Sequence, residues 1–571
     1  ARPQGDHCDI GAFEFEIDYT GIYYAKPVAS GLGDCHSWDN ACTLQTALTT
    51  AIYGDEIWAA AGKHTPTTGT DRAATFQLKG GVAVYGGFAG TETARDQRNF
   101  VANQTILSGD IDNNDSQTPV ITDLSTVTGN TTNSSSVVSG ATGATLDGFT
   151  ITAGKTSGNV CPGTNCGAGM INYYSSPNLA NLTFSGNSAT WGGGMANYSS
   201  SPAITNVTFS DNSASWEGGG MWNSHSSKPV ITNVTFSRNL AYDGGGMCNK
   251  DNSDPVMTNV AFSGNSAGRG GGGMANYSSN PVMTNVTFSG NSAKGGGGMY
   301  NHTSHTLILT NVTFSGNSAT DNGGGMYNYS TSKSPTIRNT IFWGNTASTS
   351  GAQIYNYFPG STPVVRDSIV QGGYVGGTNI ITADPLLGTF GTYSDSLTET
   401  FPLLAGSSAI DAGNDAFCPV SDQRGLARPQ GAHCDIGAFE YVETTAPETQ
   451  IDTSPVNPNN STEASFTFSS TDATATFECS LDGTVFTPCI NPKDFSGLAE
   501  GAHTFRVRAR DLSGNVDATA AFYAWLVDLT APETQIDTSP ANPTTSTEAS
   551  FAFSSSDDTA TFECSLDNEV F

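Results

Sequence analysis

Positive charge is scarce in this chain. Of 571 residues only 22 are Lys or Arg, against 52 Asp and Glu, and the formal net charge of −30 repels nucleic acid and anionic membrane surfaces. Charged residues of both signs make up only 13%, while Gly, Ser, Thr and Asn dominate, a texture of secreted surface proteins more than of cytosolic enzymes. Long apolar runs are missing too: no stretch approaches 18 apolar residues, so no helical membrane span is expected in this segment. Catalytic signatures are equally thin. There is no G-x-S-x-G, no H-E-x-x-H and no paired C-x-x-C, and the eight His are scattered.

What is abundant is repetition. "TNVTFSGNSAKGGGGMYN", residues 284–301, recurs with small changes on both sides. Aligned on phenylalanine the copies fall at Phe184, Phe209, Phe236, Phe262, Phe288, Phe314 and Phe342; aligned on methionine, at Met170, Met195, Met221, Met247, Met274, Met299 and Met326. A period in the twenties excludes helical-hairpin repeats and leaves leucine-rich repeats or a parallel β-solenoid. Leucine is nearly absent from these copies, so the solenoid stands. Within one unit, short β-branched runs alternate with Gly, Asn, Ser and Pro, which predicts about three strands per coil, with Val207, Phe209 and Met221 inside and Thr208 outside. Some fifteen coils at about 4.8 Å each predict a rod of about 70 Å.

Three asparagines recur in each coil. The first series is Asn206, Asn233, Asn259, Asn285 and Asn311; the second is Asn212, Asn239, Asn265, Asn291 and Asn317; the third is Asn197, Asn223, Asn249, Asn276, Asn301 and Asn328. Asn tolerates the left-handed conformation at a turn, and its amide can bond to the one a coil away, so ladders are expected at about 1 kcal/mol net per bond. Many also match the N-x-S/T glycosylation pattern, which a turn ladder would produce whether or not sugar is attached. The glycines before each Met fit tight turns and close coil packing; a phosphate loop would need a following Lys and Ser or Thr.

The "FSGN" and "GGGM" words resemble the F-x-x-N and G-G-A-[ILV] signatures of polymorphic outer-membrane protein repeats, although the third residue here is usually Gly. Residues 35–67 resemble the opening, and residues 407–441 the closing coil, of bacterial β-helix proteins described as choice-of-anchor proteins. The resemblance covers about residues 17–441. It implies a right-handed, single-stranded, pectate-lyase-like parallel β-helix on a bacterial surface, as adhesin, passenger or scaffold. Independently, Leu44, Ala47, Leu48, Ala51 and Ile52 are spaced for one apolar helix face, predicting a helical plug at about residues 43–53, because a bare solenoid end aggregates. Regular coils are expected over about 145–370.

After residue 442 the texture changes. "TAPETQIDTSP" and "TATFECSLD" recur at a shift of 85 residues, which predicts an Ig-like β-sandwich at 442–528 and an incomplete second copy at 529–571. This region resembles bacterial Ig-like surface repeats.

Of 11 cysteines, Cys35 and Cys42, Cys161 and Cys166, Cys418 and Cys434, and Cys479 and Cys489 form close pairs that read as disulfides made outside the cytoplasm. Residues 1–16 repeat at 427–442, so Cys8 copies Cys434 without its partner, and Cys564 copies Cys479 without its own. Both ends read as cut. The expectation is an internal segment of a longer tandem protein, with 1–16 the tail of a preceding β-helix module; the alternative joins Cys8 of one chain to Cys564 of another. Cys248 reads as an inert thiol.

Two sets of residues carry candidate chemistry. The turn before the glycines offers Trp191, Glu217, Asp243, Arg269, Lys294 and Asp321 on successive coils. Glu217 and Asp243 could stand about 5 Å apart, as in a retaining glycosidase, with Trp191, Trp216 and Tyr242 stacking on sugar rings; the plainer reading is a solvent-exposed variable turn. Asp211 and Arg238 read as a surface ion pair. Calcium has two local cases: Asp110, Asp112, Asn114 and Asp115 in "DIDNND", and Asp511, Asn515 and Asp517 in "DLSGNVD", neither with the Gly and distant Glu of an EF-hand. No cofactor is required by anything else. The sequence favours a non-enzymatic extracellular structural rod, part of a stalk, filament or sheath that self-associates, ahead of an adhesin for glycans or surface proteins and of a polysaccharide lyase or hydrolase.

Overall fold

In the computed structural model, residues 21–570 are described apart from 157, 159–160, 162–165, 304–305, 331–334, 360–361, 395 and 512–513. Segment 1–16 and Cys8 lie outside them. The chain divides into two compact units at Val442 and Glu443.

The first unit is a right-handed parallel β-helix. One coil shows why the sequence folds this way. Val230–Ser237 lies in the longest sheet, Leu240–Asp243 in a second and Met247–Lys250 in a third, and each pairs in parallel with its counterpart in the next coil. Ile231, Val234, Phe236 and Met247 are fully buried, and Thr232 and Thr235 face outward. Strict alternation would put Asn233 inside; its left-handed backbone, φ 54°, inserts one extra residue and returns Val234 to the core. The same kink recurs at Asn181, Asn206, Asn259, Asn285, Asn311 and Asn339.

Close packing explains the glycines. Gly218 has φ 70°, and a Cβ on Gly220 would sit 2.6 Å from the Gly246 carbonyl and 2.9 Å from the Phe236 ring. An Ala at the third position of "GGGM" therefore has no room in this coil. The phenylalanines stack from coil to coil at 4.5–4.9 Å with planes within 6° of parallel.

The three sheets hold 17, 10 and 7 strands. In the longest, an unbroken run of thirteen neighbours leads from Ile22–Ala25 to Thr378–Ile381. At about 4.8 Å per rung this is about 58 Å, fewer coils and a shorter stack than the fifteen and 70 Å expected, because the chain after residue 382 adds no rungs.

That stretch is the main departure from expectation. Residues 407–441 do not close the solenoid as a last coil. With the residues before them they form an irregular strap laid back along the outer face of the longest sheet. Glu399 accepts from Ser263, Gln423 from Thr287, and the Ser421 carbonyl from Asn285; Asn311 donates to the Asp435 and Gly437 carbonyls, and Gly437 N–H to Asn339. Asn414 reaches Asp367, so five successive coils are crossed. The strap is held by Cys418–Cys434 and by a buried Arg428–Glu440 ion pair at 2.8 Å.

At the other end, helix Leu44–Thr50 begins at Thr43, whose hydroxyl accepts from the Thr46 N–H. Leu44, Ala47, Leu48 and Ala51 are buried beneath it. Ile52 is not: the helix stops at Thr50 and Ile52 is 57% exposed. Disulfide Cys35–Cys42 closes the adjoining loop against the first strand, whose Tyr24 bonds to both cysteines through the backbone.

The second unit contains a three-stranded and a four-stranded antiparallel sheet. Phe466 of the first meets Phe505 and Trp525 of the second at 4.3 and 5.2 Å between ring centres, so the two sheets enclose one core, with Cys479–Cys489 beside it. In the second copy, among the described residues, only Thr534–Thr538 and Ala552–Ser555 pair. Phe551 and Phe553, the counterparts of buried Phe466 and Phe468 at the 85-residue shift, are 47% and 38% exposed.

Candidate functional site

Glu217 ends strand Ser213–Glu217 and Asp243 ends Leu240–Asp243, and the two are direct register partners on neighbouring coils. The stack thus brings together the carboxylates singled out in the sequence. It also occupies them. Glu217 accepts from the Trp222 indole at 3.0 Å and from Lys250 at 3.1 Å. Asp243 is 1% exposed and takes both arms of Arg269 together with the Gly270 N–H. Arg269 donates onward to the Tyr277 hydroxyl at 2.8 Å.

Protonation equilibria follow this pairing. Burial lowers the Lys250 pKa, but the adjacent Glu217 charge outweighs it and the net shift is upward. The hydrogen bond to Asp243 raises the Arg269 pKa, and burial pushes the Tyr277 hydroxyl up. Cys248 lies beneath, fully buried, its thiol held well above the usual range by burial and then by the charges of Glu217 and Asp243, as expected of an inert thiol. A glycosidase pair needs one carboxyl free to give up a proton and another free to attack. Here each carboxylate has a dedicated cation.

The turn is therefore not simply exposed and variable. Its change of sign from coil to coil is a pairing code, continued at the surface by Lys294 and Asp321 at 3.7 Å. Trp191 packs against Trp222 in a small buried cluster and offers no platform. Trp216 and Tyr242 are 53% and 42% exposed and meet edge to face at 5.6 Å, with Arg269 over the Tyr242 ring. Arg238 and Asp211 form a two-armed surface pair at 2.8 Å.

The calcium candidates have protein partners. Lys63 reaches Asp110 at 2.6 Å and Asn113 at 2.8 Å, Asn114 donates to Asp112, and Asn133 to Asp115. Burial raises the Asp115 carboxyl to about 6. In the second unit Asn515 donates twice to Asp511, and Asp517 accepts from Thr449 and Thr519. Burial opposes ionisation of Asp517, but these bonds win and its pKa is lowered. Among the described residues no three His, Cys, Asp or Glu side chains converge as a metal site.

The asparagine ladders divide by depth. The second series runs from Asn187 to Asn345; from Asn212 to Asn317 each amide donates to the next Asn side-chain oxygen and to a Phe carbonyl of the preceding coil, Asn187 using the Ile151 carbonyl instead and Asn345 ending on Gln353. The third runs from Asn172 to Asn356 and ends on the Tyr374 hydroxyl. Asn197 and Asn276, the acceptors of two "NYS" words, are fully buried and out of reach of a glycosyl donor in the folded chain. The first series is half-exposed at Asn206, Asn233 and Asn259, is buried under the strap at Asn285 and Asn311, and breaks between those two, where the strap takes their amides.

Sequence reasoning missed a serine ladder, Ser175 through Ser279, and an aromatic ladder beside the third series: Tyr300, Tyr327 and Tyr355, flanked by Tyr277, His302, Tyr329 and Tyr357. The words "MYNH", "MYNY" and "IYNY" carried that second signal. It missed the strap contacts entirely, since nothing local marks residues 399–438 as docking on Ser263 to Asn339.

Residues 215–342 match the family model for a right-handed β-helix region. No curated protein matches. Among solved structures, pectate lyase Pel9A aligns with 74% of this chain and 97% of its own at 14% identity, with a TM-score of 0.41. Four disulfides are present among the described residues, and no helix among them is long and apolar enough to cross a membrane.

Proposed function

We propose that this chain is an extracellular structural protein, a repeat-built rod within a bacterial surface stalk, filament or sheath. The observation that carries the reading is the interior: Phe stacks and self-satisfying Asn ladders repeat coil after coil, and the register-paired carboxylates Glu217 and Asp243 are each held in a coil-to-coil ion pair. Repetition supplies length and stiffness, disulfides secure the cap and strap, and the acidic surface keeps copies apart in solution. The C-terminal sandwich serves as an Ig-like spacer in the same assembly. Electron microscopy of native material, beside reducing and non-reducing gels, tests this. Elongated particles or fibres with a regular axial repeat are expected; compact particles that cleave polysaccharide, with activity lost in Glu217→Ala and Asp243→Ala, overturn it.

A second reading, an adhesin, is favoured by the exposed Trp216 and Tyr242 beside Arg269, since paired aromatics on a rigid face suit sugar rings. Loss of surface glycan binding in Trp216→Ala is the measurement that selects it.

A further inference from the structure

Two separate parts of the first unit lie on the outer face of the longest sheet and stop short of each other. The loop before strand Thr105–Ser108 covers the earlier coils: Arg98 donates to the Gly86 carbonyl and pairs with Asp147, and Asn99 N–H donates to Gly87. The strap covers the coils from Ser263 onward. Between them the outward side chains Asn181 and Thr183 of rung Asn178–Ser185, and Asn206 and Thr208 of rung Ala203–Ser210, are only partly covered, while Ser185 is held under the Ile121 carbonyl; the gap is a trough of about 300 Å³.

Its construction is specific. Thr150, Thr183 and Thr208 form a column along the floor, one hydroxyl per rung in direct register. Asn181 and Asn206 stand beside them. The asparagine amides are tied along their own ladder and to Asp147, whereas the three hydroxyls make no hydrogen bond to any other described residue. At the rims are large apolar side chains that the fold leaves in water: Phe100 at 39%, Val101 at 75% and Leu397 at 59% exposure. Among the described residues no charged side chain lines the trough; beside it, Arg98 stands 5.8 Å from the Phe100 ring centre and is tied to Asp147 at 2.7 Å.

We infer that this trough binds a neutral oligosaccharide, with roughly two sugar rings held at that volume. The three features suit that ligand and argue against others. Hydroxyls that donate and accept in turn match a polyol. Apolar rims match the C–H faces of sugar rings, with Phe100 as the stacking surface. An uncharged lining in a chain of net charge −30 disfavours uronates, sulfates and phosphates, because the cation beside it, Arg98, is already paired with Asp147. The rung spacing of about 4.8 Å is close to the ring-to-ring advance of an extended β-linked chain, so successive rings meet successive threonines. The site lies on the longest sheet, away from the seven-stranded sheet bearing Trp216 and Tyr242, and stands independently of the rod and adhesin readings.

Calorimetric titration of the full chain with cellotetraose, chitotetraose, xylotetraose and mannotetraose, with tetragalacturonate as the acidic control, tests the inference. Saturable binding of at least one neutral tetrasaccharide to a single site is expected, with none of the acidic one. Phe100→Ala, and separately Thr183→Val with Thr208→Val, should each weaken it by about tenfold, the second with the melting temperature unchanged because valine keeps the strand shape. The inference is overturned if no neutral sugar binds at millimolar concentration, if the acidic sugar is preferred, or if binding survives both trough variants and is lost in Trp216→Ala.

Discussion

Removing the side chain of Asn265 should cost more than removing that of Asn206, although both are Asn in the same repeat. Asn265 is fully buried. Its Nδ2 donates to the Phe236 carbonyl at 2.8 Å and to Asn291, and its Oδ1 receives both the N–H and the amide of Asn239 at 3.0 and 2.9 Å. Asn265→Ala strands one carbonyl and two donors out of reach of water, and at about 1–2 kcal/mol each the loss is about 4 kcal/mol. Asn206 sits at φ 56° and is half-exposed, with one amide bond each way at 3.2 and 3.1 Å. Glycine takes that backbone freely and water replaces the bonds, so Asn206→Gly should cost less than about 1 kcal/mol. Native-state hydrogen exchange resolves this better than a melt, since a repeat array opens locally. Faster exchange confined to the coils between Phe236 and Asn291 is expected for Asn265→Ala. Equal effects in the two variants, or no change at Asn265, would refute the ladder argument.

Phe236→Ala opens the stack between Phe209 and Phe262 and should cost about 3–5 kcal/mol, read by denaturant unfolding. Arg269→Ala leaves Asp243 buried and unpaired at about 3–5 kcal/mol, and Arg269→Ala with Asp243→Asn should recover much of it, which a double-mutant cycle measures. Burial, then the Glu440 charge, raises the Asp435 carboxyl to about 7. The folded strap therefore keeps a proton that the unfolded chain has lost, so its docking is tightest below about pH 4 and weakens as pH rises toward 7; proteolysis of residues 411–441 should show the trend, and Asp435→Asn should flatten it. Cys418→Ser with Cys434→Ser opens a loop of separation 16, costs about 3 kcal/mol, and should make the strap the first protease target while the coils stay protected.

The coil was legible because its physics is local. Phe209, Met221 and the left-handed Asn206 are each demanded by a neighbour one rung away, and a period repeated seven times averages out ambiguity in any one copy. The strap was not legible because its partners are 47–136 residues distant in the chain, and residues such as Thr400 and Gln423 have no pattern until the coils are stacked. The fate of Glu217 and Asp243 was half legible. Their register followed from the repeat, but Lys250 reaches Glu217 across 33 residues from a different sheet, a relation no spacing rule exposes. Ile52 failed for a smaller reason: helical periodicity ran on past a helix that ends at Thr50.

The strap also changes how such a stack comes apart. A plain solenoid frays from its ends, one rung at a time, because each rung is gripped only by the next. Here the first rungs are pinned by the cap and five of the last six are laced together by a chain crossing them, like a splint along one side. The least supported rungs are then the interior ones between loop and strap, from Asn178 to Ser237. Under tension the molecule should yield first in its middle, and a ligand seated across those rungs would be the missing stitch.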